Sequence, residues 1–349
     1  MTYAAMALGN TAIRVQLVGV AHNTSPFYSV YPLTTSGIGT ILTSTGTNPT
    51  GTGFGIGFSP QLTLVAVAHI TSPFITAYSV VNFTSIGSKF ANPATLPTAL
   101  GESARFSPDG SLLAVGFDGN PSLFVYPIST SGFGTKYSNP ATTTGDTYGM
   151  RWNPAQNVIA TGHVGGAFIA AYAWTNASGF GTKYSNPASL PPTHCQDIDF
   201  TSNGADVAVA HGTSPFTSAY PWNNSTGFGT KYANPGTLPA GFGFGCKFAQ
   251  SFSSSTNTFL SIAHQTSPRI TAYNFTTGTG YSSKFTDPVT LPNGDGFGTD
   301  FTKTANAVGV ASGANPFIQV YPWSSSGFGS KFANPATLPA GTGNDIAIS

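Results

Sequence analysis

The stretch Gly-Phe-Gly-Thr-Lys-Tyr-Ala-Asn-Pro at Gly227–Pro235 recurs almost letter for letter at Gly132–Pro140, Gly179–Pro187 and Gly327–Pro335. A second mark, a small residue followed in most copies by His, occurs seven times: Ala21-His22, Ala68-His69, Gly116-Phe117, Gly162-His163, Ala210-His211, Ala263-His264 and Ala311-Ser312. Successive marks lie 47, 48, 46, 48, 53 and 48 residues apart, the long interval containing the polar run around Ser251–Thr258. Nine residues after each mark stands a tyrosine: Tyr31, Tyr78, Tyr126, Tyr172, Tyr220, Tyr273 and Tyr321. An aromatic residue stands eleven before five of the marks, at Phe58, Phe106, Trp152, Phe200 and Phe301, and Phe248 takes the same place before His264 across the long interval. A fixed period of this length is the sign of a repeat architecture.

Each unit reads as four short strands. In the fifth, Asp197–Phe200 runs to a Ser-Asn-Gly turn, Asp206–His211 follows, Thr213-Ser-Pro makes the next turn, Phe216–Trp222 is third, and Lys231–Tyr232 lies in a short fourth. Runs of 4–7 residues suit strands, and no segment keeps a 3.6-residue period. Along the second strand Val207, Val209 and His211 share one face, with Ala208 and Ala210 on the other. The Ala210 position is Ala or Gly in every unit, as a close approach between radially packed sheets requires. Seven such units predict an all-β fold, a seven-bladed β-propeller with four antiparallel strands per blade. The segment Gly343–Ile348 matches a first strand with no unit after it, so the C-terminal strand is expected to complete the first blade. The domain reading is an arm at 1–10 and one propeller over 11–349. Its repeats lie near 11–55, 56–101, 102–148, 149–194, 195–242, 243–295 and 296–340, with a closing strand at 341–349.

Phe106-Ser-Pro-Asp-Gly-Ser-Leu-Leu-Ala-Val-Gly-Phe117 resembles the first hairpin of a WD40-type blade, and Trp174, Trp222 and Trp323 close third strands as in that family. The wording of the repeat is also similar to WD40-like proteins encoded by bacteriophages and environmental bacteria. That resemblance implies a virion or an extracellular assembly as the location, with the cytoplasm as the alternative.

Composition excludes several classes. Apolar residues make up 40% and charged residues only 7%, against roughly 25% charged in an ordinary soluble domain. Twelve basic residues against eleven acidic ones give no basic face for nucleic acid. No apolar run approaches membrane-spanning length, and no signal-peptide pattern opens the chain. Cys195 and Cys246 occupy different repeat positions and read as two buried thiols.

The conspicuous polar residues follow the repeat. His22, His69, His163, His211 and His264 share one position, which favours a hydrogen bond within each blade over catalysis. Lys89, Lys136, Lys183, Lys231, Lys284 and Lys331 likewise form a dispersed ring. His194 beside Cys195 makes a poor dyad, because neighbours on a strand face opposite ways. Asp197 and Asp199 share a strand face that could suit a cation or a carboxylate pair. These patterns predict no catalytic, metal or cofactor residue.

What remains is one end of the ring. The Ser-Pro-Phe turns and the Asn-Pro-Ala-Thr-Leu-Pro loops should share it, giving a candidate interaction face of Phe27, Phe74, Phe216, Phe317, Pro73, Pro215, Leu96, Leu238 and Leu338. The function expected from these readings is a non-catalytic structural or adhesive module whose partners are other proteins of a virion or surface assembly. The alternatives are a carbohydrate-binding propeller with repeated glycan sites and, third, an enzyme in which the fifth and sixth units break the symmetry.

Overall fold

The computed structural model describes residues 16–142, 145–250 and 257–349. The expected N-terminal arm and most of the polar insertion at 251–258 lie outside the described residues. Seven antiparallel blades form a ring. The inner strands, taken round the ring from blade one, are Gly343–Ile348, Gly53–Phe58, Gly101–Phe106, Thr147–Trp152, Cys195–Phe200, Gly243–Phe248 and Gly296–Phe301. As expected, the C-terminal strand completes blade one, pairing with Gln16–His22. Blade two carries a fifth strand, Thr43–Ser44, paired in parallel with Ser85–Lys89.

The fourth strand begins at the Gly-Phe pair, not at the Lys-Tyr pair expected from sequence: in blade five Gly227–Phe228 pairs with Asn223 and Trp222. Its length alternates around the ring. It has five residues in blades two, four and six, at Ser85–Lys89, Gly179–Lys183 and Gly280–Lys284. In blades one, three, five and seven it has two, at Gly37–Ile38, Gly132–Phe133, Gly227–Phe228 and Gly327–Phe328. The short set belongs to the blades whose third strand carries a proline: Pro32, Pro127, Pro221 and Pro322. Proline has no N–H to offer the ladder, so pairing stops there.

Adjacent blades fit by exchange of a single methyl-sized volume. The small residue before each blade's mark lies against the first residue of the next inner strand. Ala21, Ala68, Ala210 and Ala311 face Gly53, Gly101, Gly243 and Gly343, where an added Cβ would stand 3.2–3.3 Å from the alanine Cβ. Where the small residue is Gly116 or Gly162, the facing residue is Thr147 or Cys195. The buried tyrosine of the third strand then ties the blade to the segment arriving from its neighbour: Tyr126 donates to the Thr95 carbonyl, Tyr220 to Ser189 and Tyr321 to Thr290.

The repeated histidines are buried and bonded within their own blades. Nε2 lies 3.0 Å from Ser29 Oγ at His22, 2.8 Å from Thr76 Oγ1 at His69, 3.0 Å from Ser218 Oγ at His211 and 2.9 Å from Thr271 Oγ1 at His264. Five of the repeated lysines donate to the asparagine three residues on, as Lys136 does to Asn139, and Lys284 pairs with Asp287. Both rings are architecture.

Candidate active site in the axial channel

Every inner strand carries a β-bulge at its second residue. In blade three Ser103 faces Gly116 and Gly101 faces Phe117, leaving Glu102 as the extra residue, and the same shift recurs in all seven blades. A bulge re-aims the side chain it carries. Here it places Asn344, Phe54, Glu102, Tyr148, Gln196, Phe244 and Phe297 around one mouth of the channel, all lining a cavity of about 330 Å³. The mouth is lopsided. Glu102, Tyr148 and Gln196 stand on three successive blades. Phe244 and Phe297, with ring centroids 4.9 Å apart, occupy the next two. His194 sits at the Tyr148 edge, their ring centroids 6.5 Å apart.

Beneath the mouth the channel is charged. Three of the chain's 12 basic residues (Arg105, Arg151 and Lys247) and five of its 11 acidic ones (Glu102, Asp197, Asp199, Asp300 and Asp345) stand on the inner strands. Inner strands are sheet edges, with backbone N–H groups that need acceptors. The aspartates supply them across the blade boundary. Asp345 accepts from Ile56 N, Asp197 from Cys246 N, Asp199 from Phe248 N and Asp300 from Ile348 N. The basic groups balance them, Arg105 pairing with Asp345 at 2.9 Å and Arg151 with Asp199 at 2.9 Å. Asp197 and Asp199 therefore stitch blade five to blade six. No group of His, Cys, Asp and Glu suited to a metal occurs among the described residues.

Blade three is the blade in which both the repeated His and the turn Phe are replaced. There Phe117-Asp118-Gly119-Asn120-Pro121-Ser122 replaces the His and the Ser-Pro-Phe turn. Asp118 N donates to the Leu100 carbonyl, two residues before Glu102, and Gly119 N donates to Asp146 Oδ1, two residues before Tyr148. Glu102, the chain's one glutamate, is pushed up to about 8, by burial first and then by the charges of Asp118 and Asp146. Tyr148 is raised by burial and by the same carboxylates. A carboxyl that titrates near neutrality in a cleft is suited to moving protons. Cys195 is fully buried and its thiol is raised by that burial, so it forms no dyad with His194.

The residues of the expected interaction face lie at this same end. The turns after the second strands bond to the segments entering their own blades' inner strands, as Asn23 N does to Thr342 O and Ile70 N to Thr52 O. Phe27, Phe74, Phe216, Phe317, Pro215, Leu96 and Leu338 are half-buried, Pro73 is buried and Leu238 is exposed. Phe27, Phe74, Phe216 and Phe317 hold left-handed φ angles of 66–70°. Their carbonyls accept from the backbone N–H of His22, His69, His211 and Ser312, a structural use that leaves the rings at the surface of the turn.

Solved structures share this architecture. A putative 6-phosphogluconolactonase from Bacteroides fragilis aligns with a TM-score of 0.71 at 10% identity, covering 96% of this chain and 98% of its own. A periplasmic gluconolactonase from Pseudomonas aeruginosa aligns at 0.69 and 13% identity, covering 95% and 99%. A protein from Lactobacillus plantarum aligns at 0.71 and 13% identity, covering 96% and 100%. No family model and no curated protein matches the sequence. The seven-bladed fold stands. At this identity the likeness speaks for the fold alone, and two of these proteins bear enzyme names. They are 6-phosphogluconolactonase-like propellers rather than WD40 or phage proteins. That overturns the expected kinship with phage WD40-like repeats and, with it, the expectation of a non-catalytic virion or adhesive module.

Proposed function

We propose that the protein is a hydrolase acting on the lactone of a sugar acid, with the axial cavity as its active site. The observation that carries this reading is Glu102: a single glutamate, aimed into the cavity by a bulge, in the blade that replaces both the repeated His and the turn Phe, with its carboxyl held near 8. The names of the similar propellers support the substrate class.

The chemistry needs little machinery. The ionised Glu102 carboxylate takes a proton from a water whose oxygen bonds to the lactone carbonyl carbon. The bond from that carbon to the ring oxygen then breaks, and the proton passes to the released oxygen, leaving a hydroxyl and a carboxylic acid. Tyr148 and Gln196, on the two blades that follow that of Glu102, offer donors to the oxyanion. The phenylalanines opposite give the ring's apolar face a surface. The test follows release of acid from glucono-1,5-lactone, with the spontaneous rate subtracted, for the wild type and Glu102→Gln. Wild-type acceleration that rises with pH through about 8 and is lost in the variant is expected. A wild type no faster than buffer removes the proposal.

A further inference from the structure

Within the lactone-hydrolase reading, on which this inference rests, we infer that the cavity is built for uncharged lactones and expels its own anionic product, with Asp118 and Asp146 as the specificity-determining residues. The charged groups lining the cavity are Glu102, Asp197, Asp345 and Arg105. Arg105 is already committed: its Nη1 donates to Asp345 Oδ2 at 2.9 Å, to the Ile56 carbonyl at 2.7 Å and to the Ala104 carbonyl at 3.1 Å. Asp118 N bonds to the Leu100 carbonyl and Asp146 accepts from Gly119 N, which fixes both carboxylates at the entries to the strands of Glu102 and Tyr148, and both act on those two groups electrostatically. Oδ1 of Asp118 is buried and accepts no hydrogen bond among the described residues. Asp295, just before the inner strand of blade seven, adds a further carboxylate at this end.

Among the described residues no cation other than Arg105 lines the cavity. Arg269, which takes the turn position held by Phe in five other blades, donates to the Pro292 carbonyl and does not line the cavity. The lysines of the outer strands are bonded to their own loops. A phosphorylated lactone would bring close to two negative charges into this field. A neutral lactone brings none, and becomes an anion only after water has added, the ring bond has broken and the new acid has lost its proton to solvent. The field that admits the substrate therefore opposes the product.

The experiment compares kcat/KM for glucono-1,5-lactone and its 6-phosphate, and the inhibition constant of gluconate, at low and high ionic strength. The wild type should prefer the neutral lactone by on the order of a hundredfold at low salt, with the ratio shrinking as salt screens the carboxylates. Asp118→Asn/Asp146→Asn keeps the acceptor oxygens and removes both charges. It should cut the preference and lower the gluconate inhibition constant, each by on the order of tenfold. The salt series on the wild type needs no variant to fold. Equal turnover of both lactones, or a preference and inhibition constant unmoved in the folded double variant, overturns the inference while leaving the lactonase reading intact. If neither lactone is hydrolysed, both fall.

Discussion

Gly116 of blade three lies so close to Thr147 of blade four that a Cβ on the glycine would stand 2.9 Å from the threonine Cγ2 and 2.8 Å from its carbonyl oxygen. In the other direction, Ala68 faces Gly101, and Ala210 faces Gly243. Each boundary divides one fixed volume between two chains. Gly116→Ala should cost about 1–3 kcal/mol from overpacking. Adding Thr147→Gly should restore part of that loss, beyond what the two single changes predict together. A denaturant-unfolding cycle measures the coupling. Strict additivity would mean the two residues do not share the space.

The Glu102 carboxyl is destabilising by design, and the sign can be followed through pH. Below about 4.5 it is protonated in both folded and unfolded chains and makes no difference. Between about 4.5 and about 8 the unfolded chain ionises while the folded one resists, so stability falls as pH rises. Glu102→Gln should therefore raise Tm at pH 8 and leave it unchanged at pH 4. Loss of turnover with a gain in Tm separates a catalytic group from a structural one.

The buried histidines run the other way. Burial pushes His22, His69, His211 and His264 down to about 4 from the ordinary 6.5. Their contribution is complete above pH 6.5. It is lost as the pH falls towards 4, because the unfolded chain takes up protons that the fold excludes. Tm should drop across that window. His69→Gln, which can still bond Thr76, should make the drop shallower by about one proton's worth, read as the slope of stability against pH.

Asp345 joins three blades, standing in the closing strand of blade one while accepting from Ile56 N of blade two and pairing with Arg105 of blade three. Asp345→Ala leaves a buried guanidinium and a buried N–H without their carboxylate. The expected cost is about 3 kcal/mol in denaturant unfolding. A loss below about 0.5 kcal/mol would mean that solvent in the channel replaces the carboxylate.

The fold was legible because what recurs from blade to blade is architecture: Tyr220, His211 and Ala210 each announce a place in a blade through their copies. The site was hidden for the complementary reason. Glu102, Tyr148 and Gln196 occupy a column in which only Phe recurs, and the bulge that aims them breaks the two-residue alternation by which strand faces are read. The readable signal was that column itself, the second residue of each inner strand, together with the lapse of the Ser-Pro-Phe turn at Asp118–Ser122. Asp197 and Asp199 misled in the opposite sense. A pair of carboxylates on one face looks like chemistry until the bare edge of the next strand is seen beside it.

The proline-governed outer strands make one more property unavoidable. Short and long edges alternate from blade one to blade seven, but an odd ring cannot alternate all the way round. Two short edges must meet somewhere, and they meet at blades seven and one, beside the seam where the first and last described strands pair. The circumference is thus a dial with one mark on it. Turned by any number of blades short of a full revolution, it fails to match itself, so anything that grips the rim can settle in a single orientation relative to the cavity mouth.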